Sequence, residues 1–196
     1  EPHQPLPIQF EDFQRNPTGF GIGAIRCETG EMVYWTREHI DTNQDLMKRV
    51  RASSTMPLLM PWTTIDGEDY CDGALGPTGG FAHDAARDAG FERFIVVTTR
   101  TRDYVKRAQR APRAMRAALR RYPAVADALM ARAANYNRSR EELLDLERDG
   151  KAYLIFPDEM PITNAERNVT KLHRMYDLGL TQGRAEMPRI KEFAGL

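Results

Sequence analysis

The chain has 196 residues, and its 28 Lys and Arg side chains balance 28 Asp and Glu side chains, so the formal net charge is zero. This balance argues against a dedicated nucleic-acid binder, and the absence of an apolar run of ~18–20 residues argues against a membrane-spanning helix. Two cysteines, Cys27 and Cys71, provide neither a disulfide framework nor a CxxC metal site, which favours a reducing, cytoplasmic compartment.

The first third of the chain predicts two β-hairpins. Residues 1–17 contain four prolines and predict an extended arm with a short turn near Phe10–Phe13. Residues 19–26 and 32–36 predict two strands, joined by a turn in which Gly30 supplies a positive φ. A second hairpin is predicted over residues 62–71, because Asp66-Gly67 separates two short runs of strand-forming residues.

A helix is predicted between these hairpins. Thr42-x-x-Asp45 matches a capping box, in which the first and fourth residues satisfy each other's backbone N–H groups. Leu46, Met47 and Val50 then form an apolar stripe, and the helix should end before Pro57 because the residue preceding a proline avoids the α region.

The rest of the chain predicts alternating helices and strands after a glycine-rich loop at residues 73–80. Residues 94–98 and 152–156 are apolar enough to be buried parallel strands. The first predicted helix ends at Gly90, and two more begin at Pro112 and Pro123. Capping boxes at Ser139-x-x-Glu142 and Thr163-x-x-Glu166 begin the next two helices. A final short helix contains Ile190 and Phe193. The helix after Thr163 is expected to bury Val169, Leu172, Tyr176 and Leu180.

These elements predict an α/β fold with a layered, mainly parallel sheet flanked by helices. A β-hairpin precedes the Asp72-Gly73-Ala74 motif, and the C-terminal region is helical.

Several familiar catalytic patterns are missing from the chain or fail on context. None of Ser53, Ser54 and Ser139 lies in G-x-S-x-G, the motif that exposes a serine nucleophile. Residues 19–24 match G-x-G-x-x-A, but a hairpin follows where a dinucleotide site needs a helix. The loop at 76–80 lacks the Lys-Ser/Thr of a phosphate-binding loop. The four histidines are scattered, so no metal site is expected.

Asp72 is the strongest candidate for chemistry. It follows the strand-forming Tyr70-Cys71 and precedes Gly73, so its carboxylate could end a strand and point into a cleft. Such a group can deprotonate or orient a hydroxyl nucleophile. The alternative is a turn aspartate with no catalytic role, and composition does not decide between the two.

The chain also resembles patatin-like phospholipases, most closely a bacterial subgroup. The core of the resemblance is Ala-Ser-x-x-x-Pro at residues 52–57, the Ile65-Asp66-Gly67 turn and the Asp72-Gly73-Ala74 motif. The other matching segments, in chain order, are Asn16–Phe20, Glu28–Tyr34, Phe91–Tyr104, Tyr122-Pro123 and Asn135–Asn137. Residues 76–80 replace the Asp-x-Pro that often follows the motif in the family.

The resemblance implies an acyl-ester hydrolase that acts on lipids through a Ser–Asp dyad, with Asp72 as the dyad aspartate and Asp66 as a turn residue. The family's oxyanion loop and G-x-S-x-G serine precede the matched region, and the chain begins with Glu1. We therefore expect this chain to be the C-terminal part of such a protein and to be inactive alone. Residues 1–100 would belong to the catalytic domain, and residues 101–196 would form a basic, helical extension with one strand near 152–156.

A different class of function remains open. Residues 100–121 hold nine basic residues and one acid, Asp103, and Arg113, Arg116 and Arg120 fall on one helical face. Such a face could bind an anionic membrane surface or a protein partner without catalysis. The alternative is an ordinary solvated helix face.

Overall fold

The computed structural model describes residues 8–110, 112–163 and 166–196, and the predicted arm therefore lies partly outside the described residues. The helices are α1 (Phe10–Arg15), α2 (Asn43–Ser53), α3 (His83–Asp88), α4 (Pro112–Ala118), α5 (Pro123–Arg148) and α6 (Val169–Ala194). The strands are β1 (Gly21–Arg26), β2 (Met32–Thr36), β3 (Thr63–Ile65), β4 (Glu68–Asp72), β5 (Phe94–Val97) and β6 (Ala152–Ile155). The turn predicted near Phe10–Phe13 is thus a short helix.

The chain divides into two compact units, each built from two segments. The first unit contains the residues up to Ala86 together with Lys106–Ser139, and the second contains Arg87–Val105 together with Arg140–Leu196. These units do not correspond to a single cut of the chain near residue 100. The division into a catalytic domain and an extension stays a prediction.

The first unit contains a four-stranded sheet in the order β2-β1-β4-β3, and each neighbouring pair is antiparallel. The prediction of a mainly parallel sheet is therefore wrong for the described strands. The reason lies in the connections, because tight turns join β1 to β2 and β3 to β4, and a tight turn can only reverse the chain. The broader expectation of a mixed α/β fold is confirmed.

Both faces of this sheet are covered. On one face Ile22, Ala24 and Tyr70 pack in a buried cluster with Leu46 and Ala52 of α2. On the other face a second cluster joins sheet residues to the helical residues that follow Leu119. Its members are Ile25, Cys27, Cys71, Leu75, Leu119, Tyr122, Val125, Ala126 and Leu129. The alternation of side chains along β1 and β4 thus divides the core into two layers.

The second unit contains a parallel pair, β5 with β6, in which Phe94 lies opposite Ala152 and Val97 opposite Ile155. The two strands are parallel, as predicted, but β5 is not a fully buried strand. Phe94 is buried, whereas Ile95 is 44% and Val97 is 73% exposed. Ile95 and Val97 project from the same face of the strand pair, so that face is only partly covered.

Two predicted helix starts are wrong. Ser139 does not cap a helix, because α5 continues through it and the serine is buried. Glu142 instead forms an ion pair with Arg87 at 2.6 Å. The helix predicted to start after Thr163 begins at Val169, where the Asn168 side chain accepts a hydrogen bond from the Lys171 N–H. Residues 164–165, inside the predicted cap, lie outside the described residues.

The predicted apolar stripes are also more exposed than expected. On α6, Val169 and Tyr176 are largely exposed and Leu172 and Leu180 are about two-fifths exposed. On α2, Leu46 is buried but Met47 and Val50 are not. Within the described ranges, no helix combines the length and apolarity needed to cross a membrane.

Candidate active site around Asp72

Asp72 is the last residue of β4, where the sheet meets the end of α2. Its backbone pairs with Ala24 of β1, and its N–H donates to the Thr55 carbonyl at 2.9 Å. The Thr55 hydroxyl is itself buried against Thr63, with an oxygen–oxygen distance of 2.8 Å. Both neighbours of Asp72 are thus parts of the packed core, and the backbone that presents the carboxylate is firmly held.

The Asp72 side chain is oriented by the turn that follows it. Residues Gly73–Leu75 form a single 3-10 turn, and Asp72 Oδ1 accepts the Ala74 N–H at 2.9 Å. This is the geometry of a helix-capping aspartate. The hydrogen bond from Ala74 fixes Oδ1, so Oδ2 is the oxygen that can accept a hydrogen bond or a proton from another group.

The half-buried carboxylate lines a cavity of about 200 Å³ in the first unit. Its walls include Met32 and Tyr34 of β2, Ser53 at the end of α2, and Phe81. A cavity of this size holds a small chemical group rather than a whole lipid. The prediction that Asp72 ends a strand beside a cleft agrees with this placement, and its catalytic role stays a prediction.

Gly73 permits the close approach of the turn to the sheet. A Cβ at this position would lie 2.8 Å from the Gly23 carbonyl carbon, and closer still to its oxygen. Side chains cannot be accommodated at such distances without moving backbone. The glycine of the Asp-Gly-Ala motif is therefore required by packing, which also explains why Asp72 lies so near β1.

Tyr34 lines the Asp72 cavity, which the sequence did not indicate, and its hydroxyl is held by Asp84. The Tyr34 hydroxyl donates to Asp84 Oδ1 at 3.0 Å, and the same oxygen accepts the Ala85 N–H at 2.8 Å. Tyr34 thereby brings a phenol to the cavity that contains Asp72. No spacing rule connects a strand tyrosine with an aspartate 50 residues later, so the pair becomes visible only in the fold.

The serines differ in their surroundings. Ser53 lines the Asp72 cavity, but it ends a helix and does not lie on a strand-to-helix turn. The Ser54 hydroxyl donates to the Val50 carbonyl at 2.9 Å. Ser139 is buried inside α5. Ser54 and Ser139 therefore have structural roles, although Ser139 is not the N-cap that the sequence predicts. The contact of Ser53 with the cavity was not predicted.

Asp66 lies in the turn, as the sequence predicts. Its φ is 52° and that of Gly67 is 83°, so both central residues of the β3–β4 turn adopt positive values. This is the type I′ turn favoured by Asp-Gly. Asp66 is exposed and does not line the Asp72 cavity.

A second cleft, of about 640 Å³, lies beside Trp62 and Tyr122. Within it Asp69 accepts hydrogen bonds from the Thr64 hydroxyl at 2.6 Å and the Tyr122 hydroxyl at 2.6 Å, and it pairs with Arg121 at 3.2 Å. The Thr64 and Tyr122 hydroxyls, followed by Arg121, hold the pKa of Asp69 below its usual value. This carboxylate is saturated by partners and serves the structure.

The two cysteines are unsuited to nucleophilic chemistry. Cys27 and Cys71 are both fully buried in the same core cluster. The hydrogen bond that the Cys71 thiol donates to Cys27, followed by burial, raises the pKa of that thiol. A thiol reacts through its thiolate, so Cys71 is held in its unreactive form.

Across the described residues, no group of three or more His, Cys, Asp or Glu side chains is placed to hold a metal ion.

The basic segment is partly neutralised. Arg102, Arg116 and Arg121 form ion pairs with acids, at 2.7, 3.1 and 3.2 Å. Lys106 lies over the Tyr136 ring at 4.9 Å.

Comparison with known proteins gives one family match. The model of a Domain of unknown function (DUF6363) matches residues 122–195, which include α5, β6 and α6 but not Asp72. None of the curated proteins and none of the solved structures matches the chain. The matched region therefore assigns no chemistry to the Asp72 cavity.

Proposed function

We propose that the chain is the C-terminal part of a patatin-like lipid acyl hydrolase, with Asp72 as the aspartate of a Ser–Asp dyad. The observation that carries this proposal is the orientation of Asp72. Its backbone is fixed at a strand end, one carboxylate oxygen is held by the Ala74 N–H, and the side chain lines a small cavity.

The chemistry would divide between two segments of the parent protein. A serine supplied by an upstream segment would attack the acyl carbonyl of the ester, and Asp72 would accept its proton. Backbone amides of an upstream glycine-rich loop would stabilise the oxyanion, which is typically worth a few kcal/mol of barrier. Within this proposal the layered patatin-like fold is completed by the upstream segment, and the reaction uses no metal or organic cofactor.

The first test applies to the 196-residue chain. We expect no hydrolysis of p-nitrophenyl butyrate or of a phospholipid, because the chain lacks a serine on a strand-to-helix turn. Ser53→Ala provides the control, since Ser53 is the serine that lines the Asp72 cavity. Turnover that copurifies with the chain and disappears in Ser53→Ala would contradict the proposal and identify Ser53 as the nucleophile.

The second test applies to the longer parent protein. Asp72→Asn removes the base but keeps the size of the side chain, so kcat should fall by ~10²–10⁴ with little change in Tm. Asp66→Asn is the matched control, because Asn-Gly forms the same turn and should leave kcat nearly unchanged. The dyad assignment fails if Asp72→Asn keeps the parental kcat. It also fails if Asp66→Asn is folded and loses more kcat than Asp72→Asn does.

A second candidate function is peripheral binding to anionic membranes. It is favoured by four arginines of the basic segment that are exposed and form no ion pair among the described residues. They are Arg107, Arg110, Arg113 and Arg120. Each basic residue near an anionic bilayer contributes ~1 kcal/mol. This activity is compatible with the first, because a lipid hydrolase must reach its interface, and it could also exist without catalysis.

A further inference from the structure

The loop of residues 76–81 forms one wall of the Asp72 cavity. Three of its residues, Thr78, Gly80 and Phe81, line the cavity. The loop belongs to no helix or strand, so the segments that contact it determine where this wall lies. These contacts come from one turn of α5, at residues 135–138, and both segments belong to the first unit.

The closest contact joins the backbone of the loop to the backbone of α5. Gly79 is buried and has a φ of 66°. A Cβ at this position would lie 2.5 Å from the Tyr136 Cα, and closer still to the Tyr136 nitrogen. Such distances leave no room for a side chain, so the two main chains are in direct contact at this point.

Two side chains on the same turn of α5 bind carbonyl groups of the loop. Asn135 Nδ2 donates to the Gly76 carbonyl at 3.3 Å, and an Arg138 Nη donates to the Pro77 carbonyl at 2.7 Å. The Arg138 guanidinium also donates to Asn135 Oδ1 at 3.2 Å. Residues three apart lie on the same face of a helix, so Asn135 and Arg138 hold each other while both hold the loop.

The ring of Tyr136 continues this contact into the cavity wall. It packs against the ring of Phe81, with 5.0 Å between the ring centroids. Phe81 is itself buried and lines the Asp72 cavity. Aromatic pairs at this distance are more favourable than their buried area alone accounts for. The turn of α5 therefore fixes both the backbone of the loop and the largest side chain that the loop brings to the cavity.

We propose that Asn135, Tyr136 and Arg138 are positioning residues of the Asp72 site, which fix the loop and thereby determine which acyl groups fit beside Asp72. This inference rests on the proposed function, because the acyl ester is the substrate named there. The cavity of about 200 Å³ corresponds to roughly seven water molecules, so a small movement of one wall changes what it can hold. One methylene more or less in an apolar pocket typically changes kcat/KM by about 10–200-fold.

Asn137 provides a matched control on the same turn. Its side chain accepts the Lys106 N–H at 2.9 Å and donates to the Lys106 carbonyl at 3.0 Å. Asn135→Ala and Asn137→Ala are therefore the same substitution at two half-buried positions of one helix. Asn137→Ala removes two hydrogen bonds to a different segment, whereas Asn135→Ala removes a contact with the loop.

The first experiment measures amide hydrogen exchange in the 196-residue chain, in a peptide that covers residues 76–81. Asn135→Ala should raise the exchange rate of this peptide by roughly 2–12-fold, the factor typical of one hydrogen bond, and Asn137→Ala should not. Arg138→Ala is a second variant, because Arg138 is exposed and its truncation leaves no cavity in the core. Unchanged exchange in both loop-binding variants, or an equal increase in Asn137→Ala, would overturn the proposal.

The second experiment measures kcat and KM of the longer parent protein for p-nitrophenyl esters from acetate to octanoate. Asn135→Ala should raise KM for the preferred ester and reduce the discrimination between acyl groups by roughly tenfold, whereas Asn137→Ala should keep the parental profile. A loss of folded protein lowers the rate for every ester alike, so the acyl profile separates positioning from stability. A parental profile in both Asn135→Ala and Arg138→Ala would contradict the positioning role.

Asp72→Asn separates a failure of this inference from a failure of the proposed function. In the same assay it should lower kcat for every ester without changing the order of preference. If Asp72→Asn loses activity while the loop-binding variants keep the parental acyl profile, the dyad stands and the positioning role is wrong. If Asp72→Asn keeps the parental kcat, the dyad is wrong, and the exchange experiment still decides whether α5 holds the loop.

Discussion

Replacing Gly73 with alanine tests how the Asp72 turn is packed against the sheet. The new Cβ would lie 2.8 Å from the Gly23 carbonyl carbon, whereas carbon atoms prefer about 3.5–4.0 Å, so the turn and β1 must separate by roughly 1 Å. Both partners are backbone, and no side chain can rotate away to relieve the contact. Gly73 is also buried, so relaxation would disturb the core.

We expect Gly73→Ala to cost about 2–3 kcal/mol, as other substitutions that overfill a packed interior do. In a chain of this length 1 kcal/mol changes Tm by roughly 2–4 °C, so Tm should fall by about 4–12 °C. Tryptophan fluorescence is a suitable probe, because Trp35 and Trp62 are the two tryptophans of the chain and both lie in the first unit with Gly73.

Gly21→Ala is the matched control. Gly21 begins β1 in the same sheet, and a Cβ there would meet nothing within 4 Å. Its substitution should leave Tm unchanged or raise it slightly, since alanine reduces the entropy of the unfolded chain by about 0.4–1 kcal/mol. If Gly73→Ala unfolds at the same temperature as Gly21→Ala, the turn is not held by contact with β1 and our account of the site is wrong.

Two further predictions concern the second cleft and the basic segment. Tyr122→Phe removes a hydrogen bond to a carboxylate and should cost about 1.5–3 kcal/mol at pH 7. The lowered pKa of Asp69 gives stability that is present above about pH 4 and is lost as the pH falls further. In urea denaturation, the free energy of unfolding of Tyr122→Phe should therefore approach that of the wild type in acid. A constant difference between the two down to pH 2 would contradict this. The chain should also bind phosphatidylglycerol vesicles more tightly than phosphatidylcholine vesicles at low salt, and salt should remove the difference. The double variant Arg113→Gln/Arg120→Gln should weaken that binding more than Arg116→Gln does, because Arg116 is already ion-paired. Equal binding to both kinds of vesicle in all conditions would favour the alternative of a solvated helix face.

The features predicted best from sequence are those that a few neighbouring residues determine. The Asp66-Gly67 turn has the two positive φ values that its sequence requires. Thr42 and Asp45 form the predicted capping box, with the Asp45 N–H donating to the Thr42 hydroxyl at 3.1 Å. Each of these structures is complete within four residues, so distant parts of the chain have little influence on it.

The features that sequence could not predict depend on distant segments. Ser139-x-x-Glu142 has the pattern of a capping box, but the helix that begins at Pro123 runs through it. The stripe on α6 has helical spacing, yet spacing does not show whether another element is present to cover it. Tyr34 lines the Asp72 cavity and donates a hydrogen bond to Asp84, 50 residues away, and no local pattern indicates either contact.

The contacts that hold the candidate dyad residue all lie in one compact unit. Asp72 is held by Thr55, Ala74 and the close contact of Gly73 with β1, all within the first unit. Gly73→Ala should therefore lower the tryptophan-monitored stability of that unit.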